Sequence, residues 1–113
     1  MAKTWYPDRG DIVWLTFAPQ RGREQSGRRP ALVLTPVAYN RKVGLAILCP
    51  ITSQAKGYPF EVALSEGLGV SGVVLSDQVK SLDWRVRNTE YCDKVPPEVV
   101  QQVLAKLGAL LNP

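Results

Sequence analysis

The chain has 113 residues, 45% of them hydrophobic and 21% charged, a balance that supports one folded core and argues against disorder. It has no His and only two Cys, which excludes a Cys/His zinc site and any His-based general acid–base chemistry. The net charge of +4 is unevenly placed: residues 1–60 hold nine basic and three acidic side chains, the remainder five and seven, so the cationic surface belongs to the first half and suits a polyanion or an acidic protein partner.

A single domain over residues 1–113 is expected from the length. No apolar run is long enough to cross a bilayer. The opening MAKTWYPDRGD shows no apolar signal region and no cleavage site, so the expected location is the cytoplasm, away from membranes. Cys49 falls in an apolar run and reads as a buried thiol; spacing would also allow a disulfide to Cys92.

In chain order, Pro7, Asp8 and Gly10 mark a turn before the first strand. Residues 11–18, DIVWLTFA, are β-branched and aromatic, and both alternating sets are apolar. That predicts a strand in a closed or two-layer sheet, with Trp14 and Phe17 in the core or at a dimer surface. Residues 18–30, APQRGREQSGRRP, hold Arg21, Arg23, Arg28 and Arg29 against one acid, Glu24, and read as an exposed, anion-attracting loop. Residues 31–35 form the next expected strand, and residues 38–43 a turn or a short irregular segment. Residues 45–52, LAILCPIT, are a third strand, in which Pro50 marks an edge, a bulge or a change of partner. A second polar loop covers residues 52–59. Strands are expected at 60–64 and 70–76, with Gly72 marking a bulge or a close approach. Residues 77–81 continue as a short strand or turn, and 84–92 supply one more strand. The period then changes. Val100, Val103, Leu104, Leu107 and Leu111 share one helical face over residues 96–111, with Pro96, Pro97 and Glu98 suited to its first turn. Five to seven short strands and one helix make a mainly β protein, a small barrel or strongly bent sheet with the helix packed on it.

Four ordered blocks, PDRGDIVWLTF, GREQSGRRPALVL, CPITSQAKGYPFEV and GVVLSDQVKSLDWR, together resemble the MazF/PemK family of toxin endoribonucleases over nearly the whole chain. The resemblance implies an SH3-like, strongly bent β-barrel with a C-terminal α-helix, assembled as a homodimer. It implies a toxin of a type II toxin–antitoxin pair that cleaves single-stranded RNA at short sequences without metal or other cofactor. The products would carry 2′,3′-cyclic phosphate and 5′-hydroxyl ends. It also implies an acidic, MazE-like antitoxin as partner, with DNA bound jointly. The family's catalytic arginine falls on Arg29 and its catalytic threonine on Thr52. An acid that matters in some members falls on Glu24, as general base or as the group that orients Arg29.

Those residue types suit the chemistry. A guanidinium stays charged and its fork of donors matches phosphate oxygens. A threonine hydroxyl adds a donor where negative charge develops. Arg21, Arg23, Arg28 and Lys56 are expected phosphate contacts, and Ser53 and Gln54 flank Thr52 in the RNA-binding loop. Tyr58, Phe60, Gln78 and Trp84 are candidates for stacking on or hydrogen bonding to bases, although an aromatic in a strand, as Phe60 and Trp84 read, is more often core. The competing reading is a non-enzymatic nucleic-acid-binding module, or a gyrase-poison-like module on the same fold, which would need neither Arg29 nor Thr52 for catalysis.

Overall fold

Strand β1 (Asp11–Phe17) contributes to both core layers, Ile12 to one and Val13, Leu15 and Phe17 to the other, and leaves Thr16 exposed. The structure is a computed structural model that describes residues 5–17, 22 and 27–113. Along the sheet, β1 pairs antiparallel with β2 (Gly27–Val33) on one side and β7 (Glu90–Lys94) on the other. Next to β2 lies β3 (Leu45–Thr52), which pairs with β5 (Val73–Leu75) and β6 (Lys80–Asp83); β4 (Glu61–Ala63) sits beyond β5. The order is β4-β5-β3-β2-β1-β7, with β6 on β3. This is the mainly β architecture expected: among the described residues seven strands form a sheet that is not closed, so the expected strongly bent barrel holds in the loose sense.

One face carries Ile12, Leu32, Leu34, Cys49, Ile51, Val62 and Val74, covered by Val99, Val100 and Val103 of helix α2 (Pro97–Leu111). The other carries Val13, Leu15, Phe17, Ala31, Val33, Ala46 and Leu48, flanked by Trp5, Leu82 and Trp84. Burial of such side chains stabilises by roughly 1.5–3 kcal/mol each, so the alternation along β1 fixes its register against both layers.

Pro50 does mark a change of partner. On one edge β3 pairs with β6 from Leu45 to Leu48 and with β5 at Ile51 and Thr52, and the 3-10 turn Ser76–Gln78 carries the chain between those two partners. A residue without an N–H fits where a continuous ladder is not required. Gly72 likewise marks a close approach. Its φ is +121°, and a Cβ there would stand 2.8 Å from the Thr52 carbonyl carbon and 2.9 Å from the Ser53 Cα. Only glycine lets this backbone lie against the end of β3.

Three expectations are corrected. Residues 38–43 belong to a helix, α1 (Val37–Val43), and not to an irregular segment. Its first N–H, on Val37, donates to the Asp8 carboxylate at 2.9 Å. Asn40, fully buried, donates from Nδ2 to the carbonyls of Pro7 and Thr35 and accepts from Thr35 Oγ1. Gly44, at φ +81°, closes the C-terminus. Second, β2 starts at Gly27, so Arg28 and Arg29 are strand residues opposite Thr16 and Leu15, not loop residues. Third, α2 buries Val99, Val100 and Val103, while Leu104 and Leu111 of the expected apolar stripe are exposed. No helix among the described residues is long and apolar enough to cross a membrane.

Cys49 and Cys92 are both free thiols. Burial, helped by the nearby Asp77 charge, pushes the Cys49 thiol up to about 12, so it is an inert core group.

Candidate active site

Arg29 and Thr52 belong to neighbouring strands, and the register relates them. Ala31 of β2 lies opposite Pro50 of β3. Arg29 lies two residues before Ala31 on β2 and Thr52 two residues after Pro50 on β3, both just past the last paired position of that ladder. At this end of the sheet a groove of about 330 Å³ opens, lined by Trp14, Arg28, Arg29, Pro30, Ile51, Ser53, Val70 and Ser71. That volume lies in the range of sites that take one small-molecule-sized unit, about 300–1,000 Å³.

Thr52 ends β3 with its side chain mostly buried. Its Oγ1 accepts the Gln54 N–H at 3.1 Å, which is the turn-capping arrangement common for threonine. A hydroxyl retains its own proton when it accepts, so Thr52 still has one donor to offer. The cap holds the Thr52 side chain, the backbone of Gly72 lies against the Thr52 carbonyl, and the groove itself is lined not by Thr52 but by the next residue, Ser53.

Arg29 is half-buried and forms part of the groove wall. Arg28 is already engaged. Its Nη1 donates to the Asn88 carbonyl at 2.7 Å, and its Nη2 makes an ion pair with Glu90. Arg28 is thus fixed against the β1–β7 edge, and a phosphate reaching it would share it with Glu90.

Other expected site residues are distributed less evenly. Ser53 lines the groove; Gln54, Lys56 and Tyr58 lie on the exposed loop that follows it. Phe60 is half-buried at the end of that loop, and its carbonyl accepts the Ser76 N–H at 3.1 Å. Gln78 lies in the 3-10 turn after β5 and does not line the groove. Trp84 is not in the groove either. Its Nε1 donates to the Asn40 carbonyl at 3.0 Å, and its ring meets Trp5 and Tyr6 edge-on against the second core layer. Glu24, Arg21 and Arg23 lie outside the described residues.

Sequence reasoning missed five lining positions, Trp14, Pro30, Ile51, Val70 and Ser71. Trp14, expected in the core or at a dimer surface, is half-buried in the groove wall, whereas Phe17 is in the core as read. Val70 and Ser71 form the opposite wall, brought there by the Gly72 approach. The Trp14 position was open to inference from alternation: it shares a strand face with the exposed Thr16, opposite to the face of Phe17.

A groove lined by two guanidinium groups, an indole and two serines on an antiparallel sheet is a basic, partly polar site on a small β fold. Comparison with known proteins specifies it further. The family described as PemK-like, MazF-like toxin of type II toxin-antitoxin system matches residues 8–111, and the chain belongs to that family. Endoribonuclease toxin MazF of Escherichia coli (strain K12) is 48% identical over 112 residues, spanning 99% of this chain and 100% of that protein. The crystal structure of MazF (Form-I) from Deinococcus radiodurans superimposes with a TM-score of 0.92 at 57% identity, covering 97% of this chain and 100% of that one. A MazE-MazF complex (Form-II) from the same organism matches with a TM-score of 0.86 at 53% identity, covering 96% and 98%.

Proposed function

We propose that this chain is a sequence-selective endoribonuclease, the toxin of a type II toxin–antitoxin pair, acting in the cytoplasm on single-stranded RNA. The observation that supports the reading is the groove lined by Arg29 and by Ser53, the residue after Thr52, in a chain whose full-length relatives are named endoribonucleases. In the proposed reaction the RNA 2′-oxygen forms a bond to the adjacent phosphorus and the bond to the 5′-oxygen breaks. The 2′ proton passes to a base and the leaving oxygen gains one, giving 2′,3′-cyclic phosphate and 5′-hydroxyl ends with no metal required.

Negative charge grows on the non-bridging oxygens in that transition state. The Arg29 guanidinium supplies charge and two parallel donors to them. The Thr52 hydroxyl, held by its cap, adds a third donor at no cost of reorganisation. Trp14 offers a stacking surface for a base beside the scissile phosphate. Glu24 is the remaining proposed participant, as base or as the group that orients Arg29; Glu24→Gln protein with near-full cleavage removes it from the proton transfer. The partners proposed are an acidic antitoxin, on the precedent of the MazE-MazF complexes, and a second copy of the chain.

The test is incubation of a mixed single-stranded RNA with the protein in excess chelator, followed by end-group analysis, with a DNA control. Cyclic phosphate ends are expected. Thr52→Ala should slow their formation about 10²–10³-fold, the usual cost of one such donor, and Arg29→Ala should abolish it while both variants stay folded. Absence of cutting on any RNA would favour a binding module without catalysis.

A further inference from the structure

The loop between β3 and β4, residues 53–60, carries Ser53, Gln54, Lys56 and Tyr58 next to the groove, and it does not hang loose. Near its middle, the backbone N–H groups of Lys56 and Gly57 both donate to the carboxylate of Glu61, at 3.1 Å to Oε2 and 3.0 Å to Oε1. The Glu61 N–H closes the turn onto the Tyr58 carbonyl at 3.1 Å. Gly57 takes φ +79°, the left-handed conformation that lets two successive N–H groups converge on one acid. The first turn of the loop is held by Thr52 Oγ1 through the Gln54 N–H, and its far end by Lys106 of α2, whose Nζ donates to the Pro59 carbonyl at 2.6 Å.

The loop backbone is tied down while its side chains stay open: Tyr58 keeps 56% of its surface exposed, and Gln54 and Lys56 face solvent. A loop fixed this way loses little conformational freedom when a ligand arrives. An acid placed among cationic, RNA-facing residues is also a poor choice for binding a polyanion directly. Its oxygens are occupied by the loop's own N–H groups instead.

We infer that Glu61 is a positioning residue for RNA, holding residues 54–58 in the arc that presents Gln54, Lys56 and Tyr58 to the bases flanking the scissile phosphate. The inference rests on the ribonuclease reading above and assigns Glu61 no part in the bond-breaking step. Glu61 acts on binding and base selection, so its removal should separate KM from kcat.

Glu61→Ala should raise KM on the order of tenfold, the effect of one residue's worth of lost ordering, with kcat within about threefold of the parent. The set of cleaved sequences should broaden. Glu61→Gln keeps one carbonyl oxygen for the Gly57 N–H and should restore most of the KM and the cleavage pattern. A second readout needs no cutting. A fluorescent single-stranded RNA, bound to Arg29→Ala protein, should bind about tenfold more weakly to the Arg29→Ala/Glu61→Ala protein, with the Lys56 and Gly57 amides losing exchange protection. Unchanged KM, unchanged RNA affinity and an unchanged cleavage spectrum in folded Glu61→Ala protein would overturn the inference. A fall in kcat equal to that of Arg29→Ala would overturn it as well. A parent protein that binds RNA without cutting it would sink the ribonuclease reading alone, because the affinity comparison still decides the role of Glu61.

Discussion

Replacing Gly72 with alanine tests the link between the fold and the site. The new methyl would sit 2.8 Å from the Thr52 carbonyl carbon and 2.9 Å from the Ser53 Cα, where non-bonded carbons prefer about 3.5–4.0 Å. The overlap is therefore close to 1 Å, and both atoms are backbone, so no rotamer change relieves it. The φ of +121° adds strain that an L-residue carries poorly, about 1–3 kcal/mol. Overpacking of a tight contact adds about 1–3 kcal/mol. A loss of about 2–6 kcal/mol follows, or a fall in Tm of roughly 10–30 °C for a domain of this size. The relief that exists is to push the end of β3 away from β5, which moves Thr52 and Ser53 together. A 1 Å displacement of a catalytic group costs about 10²-fold in rate. Gly72→Ala protein, assayed below its lowered Tm, should therefore show kcat down about 100-fold. A variant with parent Tm and parent kcat would refute the claim that this contact sets the Thr52 geometry.

Two tryptophans should behave oppositely. Trp14→Ala should weaken single-stranded RNA binding by about 5–150-fold, the usual worth of one stacked base, as read by fluorescence titration. Trp84→Phe, which removes the donor to the Asn40 carbonyl, should cost about 1 kcal/mol of stability and leave RNA affinity unchanged. At the other end of the sheet, Asp8→Ala should cost about 1 kcal/mol through loss of the acceptor for the first N–H of α1. Burial alone would raise the Asp8 carboxyl, but the Val37 and Arg9 N–H donors and Lys94 outweigh it and hold it below the usual carboxylate value. The sign follows. A carboxylate depressed in the folded state stabilises fully above its unfolded pKa of about 4 and loses that contribution as pH falls through the lower folded value. The stability gap between parent and Asp8→Ala protein, measured by denaturant titration, should be constant near neutrality and close in acid.

What the sequence made legible depended on period and punctuation. α2 could be read because fifteen residues give a helical period room to show. Its buried face could not, because which side meets the sheet depends on where the strands lie; Leu104 and Leu111 fit the stripe and still face water. α1 was missed because seven residues carry no clear period and Asn40 reads as a turn residue. Much of its stabilisation comes from Asp8 and Pro7 across the fold, and the local signals, Pro36 before it and Gly44 after it, also fit a turn. Arg28 and Arg29 read as loop because charge and glycine dominate the stretch. Pairing with Thr16 and Leu15 in β1 is a tertiary fact that overrides that composition. Arg29, which lines the groove, and Thr52, next to the lining Ser53, are picked out by their sequence blocks. Trp14, Val70 and Ser71 are not, since their place in the groove comes from the β1–β2 register and the Gly72 approach. Glu61 was invisible for a related reason: an acid beside a basic loop looks like a surface charge until its hydrogen bonds are seen.

The proposed reaction at the groove lined by Arg29 and Ser53 cuts RNA by using the RNA's own 2′-hydroxyl. The direct measurement begins with an RNA in which a cleaved position has been mapped. A single 2′-deoxy substitution is then made on the nucleotide 5′ to the scissile phosphate, and both oligonucleotides are compared at equal occupancy of the protein. The account predicts that binding persists and cleavage at that position disappears, while neighbouring sites in the same molecule are still cut. Cleavage of the deoxy-substituted position at the parent rate would contradict it, because the attacking oxygen would then have to come from water.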